Sequence, residues 1–135
     1  MEALRRLGDE RVARFATIGA NGPHIVPVVF AVDGGRLVTA VDQKPKQTRE
    51  LQRLTNIAVH PRVSVLVDHY DEDWSQLWWV RADGSARVVS SGPDFGEGIG
   101  LLVAKYEQYQ VAPPLGPVIV VEIDRVVGWL ASRER

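Results

Sequence analysis

The sequence predicts a mainly β fold with flanking helices, in which about six short antiparallel strands form a small closed or nearly closed barrel. Segments rich in Val, Ile and Thr alternate with turn residues at short intervals, which is typical of hairpin-linked strands. Three stretches with apolar residues at helical spacing lie before and between these strands. No linker, repeat or low-complexity tract divides the 135 residues, so we expect a single domain over residues 1–135.

The first half of the chain reads as a short helix followed by a three-stranded meander. A helix is predicted over residues 2–7. The strand RVARFATIGA leads into Asn21-Gly22, a strong hairpin signal because both positions tolerate positive φ. One return strand, HIVPVVFAVD, then reaches a second turn at residues 33–35, and RLVTAV follows as the third strand. Pro27 lacks the ladder donor, so the return strand is predicted to lie at an edge or to bulge there.

The second half alternates helices with strands. Residues 46–55 are predicted to form a helix, followed by the strands VSVLVDHY and SQLWWVRA. Asp83-Gly84 predicts a kink or turn before SARVV. Asp94 is predicted to N-cap a third helix that runs to about Gln110, and PVIVVEIDRVVGWLA is the last strand. We interpret FGEGIG as a mobile helix start, because no strand leads into it as a dinucleotide-binding loop requires.

Composition limits the classes of function. The formal net charge of −1 argues against general nucleic-acid or membrane-surface binding, which usually shows as a basic excess. The absence of cysteine excludes a disulfide framework, a thiolate nucleophile and a cysteine metal site. No apolar run approaches the roughly 18 residues of a membrane span, and the first ten residues lack the apolar core of a signal peptide. We therefore expect a cytoplasmic protein.

The most informative segment runs from Gln43 to Arg49, at the junction of a strand and a helix. Lys44 and Lys46 add positive charge, and Thr48 adds a hydroxyl donor. A helix N-terminus also supplies free backbone N–H groups, so the combination suits a phosphate. Lys46, Arg49 and Arg53 share one helix face, and a solvated basic face is the alternative interpretation.

The tryptophans are the second notable feature. Trp78 and Trp79 are consecutive, so they point to opposite faces of their strand, and an outward Trp favours a partner surface or a flat ligand. Trp74 and Trp129 are further candidates, and packing of all four in cores or a dimer interface is the alternative.

No catalytic or metal-ligating residue is predicted. The three histidines lie on separate elements without a ligand spacing, and a charged hairpin turn explains the acidic residues that follow His69. No nucleophile elbow or Walker loop occurs, and the glutamates are scattered rather than paired.

The run RVARFATIGANGPHIVPVVFAVDGGRLVTAVDQKPK resembles the opening of the pyridoxamine 5′-phosphate oxidase-like split β-barrel proteins. The matching residues are Ala16, Thr17, Gly22, Pro23, His24, Pro27 and Val28. The later run NIAVHPRVSVLVDHYDEDWSQLWWVRADGSARVV and the last strand VEIDRVVGWLAS also fit, so the resemblance spans nearly the whole chain. Within that superfamily the chain looks most like the actinobacterial branch that uses the deazaflavin coenzyme F420, through its KPK…R and WSQLWWVR segments.

The resemblance implies an FMN-binding-like split barrel of Greek-key type, and a homodimer with two cofactor sites at the subunit interface. It implies that the phosphate end of the cofactor is held by Lys44, Lys46 and Arg49, with help from Thr48. The residues that it implies along the ring are Pro27, Val28, Thr39, Val41 and Gln43, with Trp78 or Trp79 coming from the partner subunit. Glu50 stands where many relatives carry Asn and is not assigned as a ligand, because a carboxylate beside a phosphate is unfavourable.

Three functions remain open on the sequence. The first is an F420-dependent oxidoreductase that transfers a hydride between the deazaflavin and a small organic substrate. The second is an FMN-dependent oxidase or reductase, and the third is a non-enzymatic carrier of flavin or F420. The longer tail of F420 needs a longer cationic path, which Arg49, Arg53 and Arg62 could extend, and this favours the first.

Overall fold

The computed structural model describes residues 2–41 and 48–131, and for residues 48–51 it describes the backbone alone. The helices of this part of the chain are α1 (Glu2–Asp9), α2 (Thr48–Val59), α3 (Pro93–Lys105) and α4 (Glu107–Val111). Its strands are β1 (Ala13–Gly19), β2 (Gly22–Val28), β3 (Ala31–Asp33), β4 (Arg36–Ala40), β5 (Arg62–His69), β6 (Trp78–Val89) and β7 (Val118–Leu130). A 3₁₀ turn at Trp74–Gln76 lies between β5 and β6.

All seven strands belong to one antiparallel sheet with the order β2-β1-β5-β6-β7-β4-β3. The predicted mainly β class, the antiparallel pairing and the flanking helices are therefore confirmed. The prediction of a closed six-stranded barrel is wrong. The sheet has seven strands, and within the described residues no pairing joins the edge strands β2 and β3.

The additional strand arises because the predicted return strand is interrupted at Val29 and Phe30. β2 pairs with β1, whereas β3 pairs with β4, so the chain changes partner at these two residues. Side chains take over the backbone hydrogen bonds there. The Thr39 hydroxyl donates to the Val29 carbonyl at 2.8 Å, and the Phe30 N–H donates to the Tyr106 hydroxyl at 3.0 Å. Pro27 lies on the edge strand β2, as its missing donor predicted.

The two hairpin predictions differ in accuracy. Asp33 pairs with Arg36, so Gly34 and Gly35 form the expected two-residue loop, and Gly34 has the positive φ of 60°. The first turn is displaced by one residue, because Gly19 pairs with Gly22 and the loop is therefore residues 20–21.

The kink predicted at Asp83-Gly84 is an irregularity within one long strand, where the pairing of β6 with β7 shifts register. A glycine is needed there, since a Cβ on Gly84 would overlap the carbonyl oxygen of Glu122 on β7.

Helix α3 begins and ends differently from the prediction. Gly92 is its N-cap and Pro93 its first residue, so the predicted cap by Asp94 is wrong. The Asp94 carboxylate instead accepts from Arg36 at 3.2 Å and from Arg87 at 2.6 Å, which fixes the start of the helix to the sheet. Nor does one helix run to Gln110, since residue 106 is extended and separates α3 from α4.

The segment FGEGIG lies within α3, where the close packing of Gly98 on Val118 replaces the expected mobile start. The helix predicted from residue 46 is described from Thr48 and extends to Val59, four residues beyond its predicted end. None of the helices in the described part of the chain is long and apolar enough to cross a membrane.

Two hydrophobic clusters lie on opposite faces of β4 and β7. The larger one, inside the curled sheet, includes Phe15, Phe30 and Leu37. The smaller one lies under α3 and includes Leu102 and Val118. Burial of both faces explains why the last strand reads as a continuous apolar run rather than an alternating one.

Candidate cofactor-binding site

A cavity of about 570 Å³ lies among the ends of β2 and β4, helix α2 and the corner between α3 and α4. Small-molecule sites in proteins typically measure about 300–1,000 Å³. The residues that line it are Pro27, Val28, Val29, Thr39, Ala40, Arg53, Tyr106, Gln108, Tyr109, Ala112, Pro113, Pro114 and Leu115. The structure thus brings together three of the residues predicted along the cofactor ring, namely Pro27, Val28 and Thr39.

The strand wall of the cavity is mostly apolar. Pro27 is exposed on the edge strand, while Val28 is buried beside it. Thr39 is only 1% exposed, and its hydroxyl proton is used in the bond to the Val29 carbonyl. This hydroxyl can therefore accept a hydrogen bond from a ligand but is not available as a donor.

Arg53 provides positive charge to the cavity. Its side chain is only 6% exposed, although it lies on a helix that begins five residues earlier at Thr48. A buried guanidinium is costly unless oxygen acceptors surround it, and it can present a planar pair of donors to a phosphate or carboxylate. From the sequence, Arg53 is expected on a basic helix face and in the cationic path for the tail of F420, but its burial is not predicted.

Two tyrosines form the wall opposite the strands. The Tyr106 hydroxyl accepts from the Phe30 N–H and lies 2.8 Å from the Arg11 carbonyl and 2.9 Å from the Phe30 carbonyl. Burial raises the pKa of this hydroxyl, so it is neutral at physiological pH. The ring of Tyr109 packs edge-on against that of Tyr106, with centroids 6.0 Å apart. The Tyr106 hydroxyl thus ties this wall to the backbone of Arg11 and Phe30.

The predicted phosphate-binding segment is only partly described. Gln43, Lys44 and Lys46 lie outside the described residues, and Thr48 and Arg49 form the first turn of α2 without described side chains. Their proposed contacts with a phosphate stay predictions. Arg53 lies one helical turn beyond Arg49, so the same helix carries charge from this segment to the cavity.

Val41 does not line the cavity. Its side chain is buried, and its N–H donates to the Pro117 carbonyl at 2.9 Å. This bond ties the end of β4 to the connector before β7, and so positions Thr39 and Ala40 indirectly.

The two consecutive tryptophans point to opposite faces, as predicted. Trp78 packs against the larger core, with the Arg6 guanidinium 5.0 Å from its ring centroid and His69 stacked on it. Trp79 lies on the outer face of the sheet, in a hollow of about 520 Å³ that also includes Ile25 and Leu66. Neither side chain lines the cavity of its own chain, and a contribution from a partner subunit stays a prediction.

Sequence reasoning missed the tyrosine wall. Tyr106 has helical spacing with Leu102, which predicts a position on the buried face of one continuous helix rather than in a cavity wall. Residues 112–115 of the connector between α4 and β7 also line the cavity. The two consecutive prolines in that connector are the signal that an extended wall follows the helix.

The family can be stated from sequence comparison. The model of the pyridoxamine 5′-phosphate oxidase family matches residues 1–130. The chain belongs to this family. No curated protein shows significant similarity to the sequence.

Solved structures confirm the fold of the oxidase family. A conserved hypothetical protein of Mycobacterium tuberculosis superposes with a TM-score of 0.78 at 20% identity, covering 98% of this chain and 85% of that one. An FAD-binding protein of Mesorhizobium loti gives 0.72 at 19% identity, with 94% and 91% covered. A heme-binding protein of Mycobacterium smegmatis gives 0.72 at 17% identity, with 96% and 57% covered. At these identities the likeness concerns the fold.

Proposed function

We propose that this chain binds a phosphate-bearing flavin-type cofactor in the cavity described above. The observation that carries the proposal is that Pro27, Val28, Thr39 and the buried Arg53 line one cavity of about 570 Å³. The first three were predicted to lie along the ring, and the fourth adds a cation to the same cavity. The FAD-binding relative of the same fold supports a ligand of this class.

The residues present fit such a group. The apolar strand wall suits one face of a flat ring, and the tyrosine pair and the connector suit the exclusion of water from the other. Arg53 suits the phosphate, because a guanidinium donates two parallel hydrogen bonds to phosphate oxygens. Lys44, Lys46, Thr48 and Arg49 are proposed to extend the cationic path from the start of α2.

We propose coenzyme F420 as the cofactor and an oxidoreductase as the activity, with FMN as the alternative cofactor. Bound F420 supplies a hydride donor or acceptor for a small organic substrate. The protein's part is to hold the phosphate end, fix the ring on the strand wall and exclude water. The proposal includes a cytoplasmic location.

A homodimer belongs to the proposal. The outer face of β1, β2, β5 and β6 carries Ile25, which is 64% exposed, beside Leu66 and Trp79. Charges of both signs, from Arg14 and Asp68, border the same hollow. A patch with an apolar centre and both signs of charge at its edge can complement a second copy of itself across a two-fold axis.

A non-enzymatic carrier is the second candidate function. Among the described lining residues there is no carboxylate and no histidine, and the Tyr106 hydroxyl is held by backbone groups. The described part of the cavity thus supplies binding groups more clearly than proton donors. A carrier would bind the cofactor tightly without reducing or oxidising any acceptor.

Equilibrium titration of the purified, cofactor-free protein with F420, FMN and hemin tests the proposal, with tryptophan fluorescence as the readout. We expect micromolar or tighter binding of F420 and weaker binding of FMN. The reverse preference would select the FMN alternative. Binding of hemin alone, or of none of the three, would contradict the proposed flavin-type site.

A further inference from the structure

Lys105, the last residue of α3, joins two distant segments of the chain through its side chain. Its Nζ donates to the carbonyl oxygens of Gly8 at 3.0 Å, Glu10 at 2.6 Å and Phe30 at 2.9 Å. Nζ also lies 4.0 Å from the centroid of the Phe30 ring. A protonated lysine has three N–H donors, so the three carbonyls match its full donor capacity.

The neighbouring residues strengthen the same joint. Arg11 donates from Nη1 to the Lys105 carbonyl at 2.7 Å. The Tyr106 hydroxyl contacts the backbone of Arg11 and Phe30. We call this set of contacts, made by Lys105, Tyr106 and Arg11 with the backbone of residues 8–11 and 30, the Lys105 clamp.

The clamp adjoins the cavity although Lys105 does not line it. Tyr106 belongs to both, since it lines the cavity and its hydroxyl is held in the clamp. Phe30 directly follows Val29 in the strand wall, at the break between β2 and β3. Both walls of the cavity are thus fixed at the point where Lys105 holds the Phe30 carbonyl.

We propose that Lys105 is a positioning residue for the cavity, which sets the distance between the strand wall at Val29 and the tyrosine wall at Tyr106. For the cofactor this inference rests on the proposed function. Its structural part does not, because the clamp exists in the cofactor-free chain.

The clamp matters for the position of Phe30 because this residue has no ladder partner among the described strands. The backbone of this residue bonds to the side chains of Lys105 and Tyr106 at the break between the two edge strands. Removing the ammonium leaves three carbonyl acceptors without this donor, and such loss favours local opening. The charged groups that act on the ammonium are Asp9, the last residue of α1, and Glu10 and Arg11, which follow it.

Hydrogen–deuterium exchange of the cofactor-free protein is the first test, with Lys105→Met, Lys105→Arg and the exposed Glu107→Gln as a matched control. In Lys105→Met we expect about tenfold faster exchange in peptides covering residues 28–32 and 104–110. This factor corresponds to the free energy of about one to two hydrogen bonds. Lys105→Arg, which keeps a charged donor, should restore much of the protection. Glu107→Gln should match the wild type.

Tyr106→Phe serves if Lys105→Met does not fold. It removes the hydroxyl contacts, keeps the ring, and should loosen the same two segments together. Unchanged exchange in both segments, or loosening of only one, would overturn the inference.

Cofactor binding gives the second readout. The titrations with F420 or FMN are made well below the unfolding temperature of both proteins. Wild-type protein should bind the cofactor about tenfold more tightly than Lys105→Met, and Lys105→Arg should recover part of this affinity. A Lys105→Met protein that exchanges faster but binds with wild-type affinity would refute the positioning role. Failure of the wild type to bind either cofactor would sink the proposed function, and the exchange result would then decide the structural inference alone.

Discussion

Replacing Arg53 by Gln removes the one charged side chain among the described residues that line the cavity. Arg53 is 6% exposed, so little water would screen its interaction with a bound phosphate. Hydrogen bonds to charged groups contribute about 1.5–3 kcal/mol. We therefore expect the dissociation constant for FMN or F420 to rise about 10- to 150-fold. Fluorescence titration at constant ionic strength measures the change directly.

Riboflavin makes this test specific, because it has the ring of FMN without the phosphate. If Arg53 contacts the phosphate, Arg53→Gln should weaken FMN binding and leave riboflavin binding nearly unchanged. Arg5→Gln is the matched control, since Arg5 is an exposed arginine of α1 paired with Glu2. A folded Arg53→Gln protein with FMN affinity within about twofold of the wild type would refute the reasoning. Titration of Lys46→Ala with FMN and riboflavin tests in the same way the phosphate contact that the sequence predicts for Lys46.

Three further predictions concern stability. Gly84→Ala should lower the free energy of unfolding by about 1–3 kcal/mol in a urea titration, because the added Cβ meets the Glu122 carbonyl, whereas Gly35→Ala, where space is open, should cost much less. Hydrogen bonding to Arg87 lowers the carboxyl pKa of Asp94, so its stabilising contribution is present at neutral pH and lost as the pH falls through the folded-state value. Thermal melts should therefore show a smaller acid-side loss for Asp94→Asn than for the wild type. Burial lowers the pKa of Lys105 from 10.5 to about 8, so the unfolded state binds more protons than the folded state between these pH values. The stability of the wild type relative to Lys105→Met should therefore rise as the pH increases above 8, and a difference that does not change with pH would contradict this.

The strands and hairpins were predictable because their signals are local. β-branched residues and the Gly34-Gly35 turn specify extended segments and their reversal within a few residues of the chain. The edge position of Pro27 was predictable for the same reason, since a missing N–H is a property of the residue itself.

The break at Val29 and Phe30 could not be predicted in this way. It depends on the hydrogen bond that the Thr39 hydroxyl donates to the Val29 carbonyl and on the one that the Tyr106 hydroxyl accepts from the Phe30 N–H. Tyr106 lies 76 residues beyond Phe30 in the chain. Nothing in the apolar run HIVPVVFAVD marks the change of pairing partner. The seventh strand was missed because a tertiary contact, rather than a turn residue, ends β2.

The candidate site was likewise predictable only in part. Pro27, Val28 and Thr39 were implied by family resemblance and do lie together in the cavity. The burial of Arg53 depends on how α2 packs, and the exposed or buried state of a basic helix face is not encoded in its spacing. The tyrosine wall depends on the extended residue between α3 and α4, which interrupts a pattern that otherwise continues at helical spacing.

We propose that a phosphate-bearing flavin-type cofactor binds in the cavity between the strand wall and the tyrosine wall. Backbone amide chemical-shift mapping during titration with F420, repeated with FMN, locates the binding site residue by residue. We predict that the largest shifts cluster at residues 28–29, 39–40, 53 and 106–112. Shifts confined to the outer face around Ile25, Leu66 and Trp79, with the cavity residues unchanged, would show that the cofactor does not bind in the cavity.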